Sequence, residues 1–271
     1  MTSKRTWLAA GLAAGLFAPG LALAWELRVC AEPASPPFST REGTGLDNRI
    51  AAILADEMGA ELTHGWLPDA RGRTRLRHLH AGACDLAMGA LEGQTGMLTS
   101  HAYYRTGYVF VHDPAVEIAS LDDPVLRGLR VGLPGGARKT TPPALGLARR
   151  GIVENQRHYD DRGGPGDPVP PVLRALEAGE VDVAVLWGPV AAAFAGEGTA
   201  LTPVRPEIDV PFTPMVASLA VGMRPGDEAL RDAVDLALAS AWDRVQAVIE
   251  EEGVPTLPLP RPTPSLSGVG Q

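Results

Sequence analysis

The chain has 271 residues, 45% hydrophobic and 21% charged, with 31 Gly, 25 Pro and two Cys. That composition excludes a disordered tail and a disulfide-stapled miniprotein, and the length suits one two-lobed protein or two modest domains. A net charge of −8 argues against a nucleic-acid partner, because neutralising phosphates takes a basic face.

Lys4 and Arg5 precede an apolar run from Trp7 to Ala24 that ends in Ala22-Leu23-Ala24. A basic start, an apolar middle and a small-x-small end predict a secretory signal over 1–24, cleaved before Trp25. The alternative, a retained membrane anchor, is weakened by Pro19 and the run's glycines. The most apolar later segment, 181–195, carries Asp182, Gly188 and Pro189, so no membrane span is expected in the mature chain. Cleavage leaves 22 cationic against 32 acidic side chains, a charge of −10, in a soluble, periplasmic protein. Exported cysteines can pair. Strand rise, however, sets Cys30 and Cys84 about 13 Å apart, beyond the ~7 Å that a disulfide spans, so their state stays open at this point.

The mature chain reads as strand and helix in alternation. A strand over 27–31 is broken by Pro33, Pro36 and Pro37, and 45–59 is a helix with Ile50, Ile53, Leu54 and Met58 on one face. A strand over 60–66, a basic helix over 71–81 and a strand over 85–88 follow. After a strand over 108–111 the pattern restarts, with a strand over 129–133 and a helix over 142–151. The loop 160–171 is rich in Gly, Pro and Asp and leads to a helix over 172–179 and a buried strand over 181–187. The chain closes with a strand over 216–223, helices over 227–239 and 241–252, and a Pro-rich tail over 258–271 that is extended and poorly ordered.

Two phrases nearly match, AGACDLAMGAL and AGEVDVAVLWGP. Each holds a helix end, an Asp opening a strand and a Gly closing it, so one unit occurs in each half. The expected fold class is α/β, with two Rossmann-like lobes whose strand C-termini face a ligand crevice.

The phrases LRVCAEPASPPFS, GACDLAMG, YYRTGYVFV, TPPALGLARRGIVEN, VDVAVLWGPVAAAFA and EEEGVP carry a closer likeness. Together, across about residues 26–257, they resemble the solute-binding-like proteins associated with quinoprotein alcohol dehydrogenases, the methanol oxidation J-protein family. That family lies among the family 3 solute-binding proteins of the type 2 periplasmic binding protein superfamily. The segment ALEGQTGML and the loop 160–170 depart from it. The resemblance implies two lobes joined by a two-crossing hinge, near 109–114 and 215–221. Lobe 1 would take 25–112 and 216–257, and lobe 2 would take 113–215. It further implies a non-catalytic accessory partner of a PQQ-dependent methanol or other alcohol dehydrogenase and its c-type cytochrome. The alternative is a receptor delivering a small molecule to an ABC transporter. A standard α-amino acid fits poorly, since Thr95-Gly96-Met97-Leu98 lacks the arginine with which amino-acid receptors grip a carboxylate.

Cleft candidates follow from position. Glu32 and Phe38 lie after the first strand, Trp66 and Trp187 end strands of opposite lobes, and Tyr104 and Arg105 precede the hinge. Arg71 opens a helix, and Thr141 caps another before Pro142. Each also has a plain reading, as core aromatic, solvated charge or simple cap. Catalysis, metal and cofactor are not implied. There is no Gly-x-Ser-x-Gly elbow, GLPGGARKTT lacks the Gly-Lys of a P-loop, and His78 and His80 diverge around their helix. Asp160, Asp161 and Asp167 lack the spacing of a calcium loop.

Overall fold

Continuous apolar strands alternating with helices need both faces of a sheet covered, and this chain arranges that twice. The computed structural model describes residues 25–67, 72–135, 140–160 and 167–263. The expected leader over 1–24 and the end of the tail, 264–271, lie outside the described residues. The first half contains β1 (Glu26–Ala31), β2 (Ala34–Ser35), β3 (Ser39–Thr40), α1 (Leu46–Glu57), β4 (Glu61–Trp66), α2 (Gly72–His80), β5 (Leu86–Leu91), β6 (Leu98–Thr99) and β7 (Tyr104–His112). A 3-10 turn (Pro124–Arg127) leads to β8 (Val131–Pro134), α3 (Pro142–Arg149), β9 (Gln156–Tyr159), α4 (Pro171–Glu177), β10 (Val183–Trp187), α5 (Gly188–Phe194) and β11 (Ala200–Pro203). A small hairpin, β12 (Ile208–Asp209) and β13 (Thr213–Pro214), precedes β14 (Val216–Met223), α6 (Glu228–Ser240) and α7 (Trp242–Glu251).

The main sheet runs β4-β1-β5-β14-β7-β10-β8-β9. Its outer trios, β4-β1-β5 and β9-β8-β10, are each parallel. Antiparallel β14 and β7 join them. The two near-repeated phrases fall on β5 and β10, the inner strand of each trio. β7 changes partner midway, pairing through 104–107 with β14 and through 108–112 with β10. The switch lies between Gly107 and Tyr108.

Burial follows the same division. One core joins Leu27 of β1, Ile50 and Leu54 of α1, Leu86 of β5 and Val221 of β14 to Leu238 and Val245 of the last two helices. A second holds Phe110, Leu126, Val131, Leu147 and Val185, and a third on the other sheet face holds Val111, Val172, Leu173 and Leu186. Each such side chain contributes about 1.5–3 kcal/mol when fully buried.

The structure adds elements that periodicity missed. β9 reads Gln-Arg-His-Tyr, an edge strand without an apolar alternation to reveal it. α5 begins at the Gly188-Pro189 pair that reads as a stop, because Pro is at home in a first helical turn. Gly188 is needed there, since a Cβ would stand 2.7 Å from Thr106 Oγ1 and 3.0 Å from the Gly107 carbonyl oxygen.

The segment that leads into the tail, and Arg261 within it, are fastened to the fold. Thr106 Oγ1 donates to the Pro255 carbonyl at 2.6 Å, Leu257 N–H donates to the Arg105 carbonyl at 2.8 Å, and Arg261 donates to the Ala239 carbonyl. Residues 255–257 thus bind β7, and the tail reaches α6 through Arg261.

Cys30 and Cys84 form a disulfide with their Cα atoms 5.3 Å apart, which corrects the distance drawn from strand rise. Cys84 precedes β5 instead of extending it, and the chain crosses over the sheet beside Gly65. A Cβ on Gly65 would lie 2.9 Å from the Ala83 carbonyl oxygen and 3.3 Å from Cys84 Cβ. Glycine makes room for the crossing.

Candidate functional site

The C-terminal end of β1, the middle of β5, the first turn of α1 and the start of β7 converge on a cavity of about 260 Å³. The loop after β1 supplies Glu32, Ser35, Phe38 and Ser39, and α1 supplies Asp47 and Asn48. Arg75 enters from α2, Tyr104 from β7 and Trp187 from β10. Among the described residues, Trp187 is the one wall residue contributed by the β9-β8-β10 trio. Its ring meets Tyr108 edge-on at 5.2 Å.

Four expected residues therefore share one cavity: Glu32, Phe38, Tyr104 and Trp187. Glu32 is buried, and its carbonyl accepts from Ser39 Oγ at 2.8 Å. Trp66 stands apart, stacked on His64 at 4.7 Å beneath the Arg41 guanidinium. Arg105 projects from the face of β7 opposite Tyr104 and pairs with Glu207 at 2.6 Å, as strand alternation requires. Thr141 precedes α3 without capping it and lies away from the cavity wall. Arg71 lies outside the described residues.

The cavity's electrostatic centre was not among the sequence candidates. Gly89 N–H donates to Tyr103 Oη at 3.0 Å, and the Tyr103 hydroxyl donates in turn to the Asp47 carboxylate. Burial pushes the Asp47 carboxyl up to about 7, against the opposing pull of Arg75 and of the Tyr103 hydrogen bond. Burial and the Asp47 charge also drive the Tyr104 phenol well above its usual range. Arg75 Nη1 donates to the Met88 carbonyl at 2.7 Å. Asp47 Oδ1 and Arg75 Nε, an acceptor and a donor, have no hydrogen-bond partner among the described residues. Buried polar atoms of this kind are usually satisfied, so the pair marks an unmet acceptor and an unmet donor beside the cavity. Asp47 reads in sequence as an ordinary first-turn acid, and Arg75 is one of four arginines between 71 and 77.

Carboxylates, a guanidinium and aromatic faces around a small cavity can bind and orient a molecule. Among the described residues no cluster of three His, Cys, Asp or Glu side chains could hold a metal ion, and no helix is long and apolar enough to cross a membrane.

No protein-family model matches the chain. It is 32% identical over 251 residues to the protein MoxJ of Methylorubrum extorquens, covering 87% of this chain and 83% of the relative. It is 31% identical over 267 residues to MoxJ of Paracoccus denitrificans, covering 92% and 96%. Among solved structures, MxaJ from Methlophaga aminisulfidivorans superposes with a TM-score of 0.74 at 25% identity, over 85% of this chain and all of that one. The periplasmic binding protein XoxJ from Methylobacterium extorquens gives 0.69 at 28%, over 86% and 100%. An ancestral cationic amino acid solute-binding protein gives 0.63 at 22%, over 83% of this chain and 94% of that one, a likeness of fold alone.

Proposed function

Because the chain belongs to the MoxJ family, within the type 2 periplasmic binding fold, we propose that it is a non-catalytic periplasmic accessory protein of a PQQ-dependent methanol or related alcohol dehydrogenase. The observation that carries this reading is likeness to MoxJ over nearly the whole chain, at 31% and 32% identity. The leader over 1–24 would be removed on export, leaving Trp25 as the first residue, which N-terminal sequencing of the exported protein tests. Residues 25–112 with 216–257 act as one lobe and 113–215 as the other. Movement about the strand switch in β7 then shifts the population between open and closed clefts. Glu32, Phe38, Tyr104 and Trp187 line that cleft, and Trp187 makes the contact that closure strengthens.

The test is size-exclusion chromatography of the mature chain mixed with the holo-dehydrogenase, alone and with its c-type cytochrome. Co-elution with the dehydrogenase is expected. Separate elution at micromolar concentrations, with unchanged dehydrogenase activity, would contradict the reading.

One observation favours a second reading, a receptor for a small solute. Asp47 and Arg75 line a cavity of small-molecule size, and each has a buried polar atom without a hydrogen-bond partner. A thermal-shift screen distinguishes the two, because a solute at 100 times its Kd adds about 2.7 kcal/mol of stability.

A further inference from the structure

At the cavity wall, one side-chain amide is claimed from two sides. Asn48, in the first turn of α1, is buried and lines the cavity. Its Oδ1 accepts from the Thr40 backbone N–H at 2.9 Å, and its Nδ2 lies 3.2 Å from His64 Nε2 on β4. A backbone N–H can only donate, which fixes the amide with its oxygen toward Thr40. The amide nitrogen then faces His64, so Nε2 is the acceptor and the ring proton sits on Nδ1. This arrangement requires a neutral imidazole.

What the amide holds is part of the wall. Thr40 closes the short β2-β3 hairpin, whose loop brings Ser35, Phe38 and Ser39 to the cavity. The loop rests on the start of α1. Leu46 N–H donates to the Pro37 carbonyl and Asp47 N–H to the Phe38 carbonyl, both at 2.8 Å, and a Cβ on Gly45 would stand 2.3 Å from that Phe38 oxygen. Those tethers join backbone to backbone and do not titrate. The Thr40–Asn48 bond differs, because His64 stands behind it. A protonated His64 is a donor at both nitrogens and meets Asn48 Nδ2 donor against donor. Turning the amide over would satisfy His64 and set the same conflict against Thr40. One oxygen cannot serve both sides.

The surroundings do not relieve a charged ring. Among the described residues no carboxylate acts on His64. Glu26 pairs with Arg28 and accepts from Thr63, whose side chain leaves β4 on the opposite face from its neighbour His64. On α1, Asp47 is engaged by Tyr103 and Arg49 by Glu251 and Glu252. Trp66 stacks on the imidazole at 4.7 Å, and the Arg41 guanidinium, a further positive charge, lies 5.3 Å from the Trp66 ring. Burial holds the imidazole below its usual range.

We infer that His64, Asn48 and Thr40 form a proton-sensitive latch on the cavity wall: neutral His64 lets the amide fasten the loop that presents Phe38 and Ser39, and protonation of His64 releases that fastening. Asn48 and His64 are positioning residues for the wall. The inference rests on the geometry of the cavity and on neither reading of what the protein binds.

The test is NMR of the isotopically labelled mature chain from pH 8 to pH 4, following the His64 ring nitrogens and the exchange of the Thr40 amide, normalised to its intrinsic rate at each pH. The expected result is a ring proton on Nδ1 at pH 8 and a fall in Thr40 protection of about fivefold as His64 titrates, the worth of one net hydrogen bond. Tying the fall to the His64 ring shifts separates it from Asp47, whose carboxyl titrates at about 7. Asn48→Asp supplies an acceptor to both claimants, so His64 should titrate at higher pH than in wild type while Thr40 stays protected throughout. A ring proton on Nε2 at pH 8 would overturn the latch, as would Thr40 protection that does not follow His64. So would the same fall in a folded Asn48→Asp variant. The wild-type titration decides by itself if that variant does not fold.

Discussion

Replacing Asp47 with Asn probes the cavity's electrostatics without disturbing its shape. The amide keeps an oxygen to accept from Tyr103 and removes the buried charge. The carboxyl sits at about 7 against an ordinary 3.8, so between those values the folded protein holds a proton that the unfolded chain has released. Wild-type stability therefore falls as pH rises from about 4 to about 7 and levels off above, and the variant lacks this fall. At about 1.4 kcal/mol per tenfold change in proton affinity, the whole effect has a ceiling of about 4 kcal/mol, and the part between pH 5 and pH 7 a ceiling of about 2.7 kcal/mol. Water entering the cavity screens the charge and reduces the expected gain to roughly 1–2 kcal/mol. Urea unfolding of both proteins at pH 5 and pH 8 measures it, and subtracting the two proteins at each pH removes every other titrating group. The expected result is a variant that gains on wild type at pH 8 relative to pH 5. A difference that does not change with pH, or that changes in the opposite direction, would refute the placement of a buried carboxyl at this cavity.

Reducing the Cys30–Cys84 disulfide, or replacing both cysteines with Ala, releases a loop spanning 54 residues and should lower stability by about 4 kcal/mol in denaturant titration, on the chain-entropy account. Arg150→Ala leaves the buried Asp209 with the longer Arg149 contact as its remaining ion pair and should cost about 3 kcal/mol. Because the Arg150 hydrogen bond holds the Asp209 carboxyl below its usual range, that stabilisation is present at neutral pH and is lost as pH falls, so the variant's deficit should shrink in acid. Gly188→Val places a side chain against Thr106 and the Gly107 carbonyl and should cost about 1–3 kcal/mol by thermal melting. Arg105→Ala breaks a partly exposed pair and should change stability by less than about 1 kcal/mol. It should also leave solute binding in the cavity unaltered, because its side chain is on the other sheet face.

Much of the fold is legible in the residues. Buried strands rich in Val, Leu and Ala, and helices with apolar residues at helical spacing, announce themselves. The near-repeat of AGACDLAMGAL and AGEVDVAVLWGP foretells that β5 and β10 occupy matching places. What escaped is structure without an apolar signature. β9 is polar because it is an edge, and the 208–214 hairpin is secured by a buried ion pair that no periodicity reveals. The site divides the same way. Glu32 and Trp187 at strand ends, and Phe38 in the loop after β1, could be placed from the fold alone. Arg105 could not be told from Tyr104 without the register that sends neighbours to opposite faces. Asp47 and Arg75 sit on helices, where position along the chain does not say which side chain faces the crevice.

Dehydrogenase activity in cells lacking this chain tests the central claim most directly. The account predicts that dehydrogenase purified from such cells has a markedly reduced active fraction per mole of enzyme, restored by the wild-type gene in trans. Full specific activity from the deletion strain, grown under conditions where wild-type cells express the chain, would contradict it.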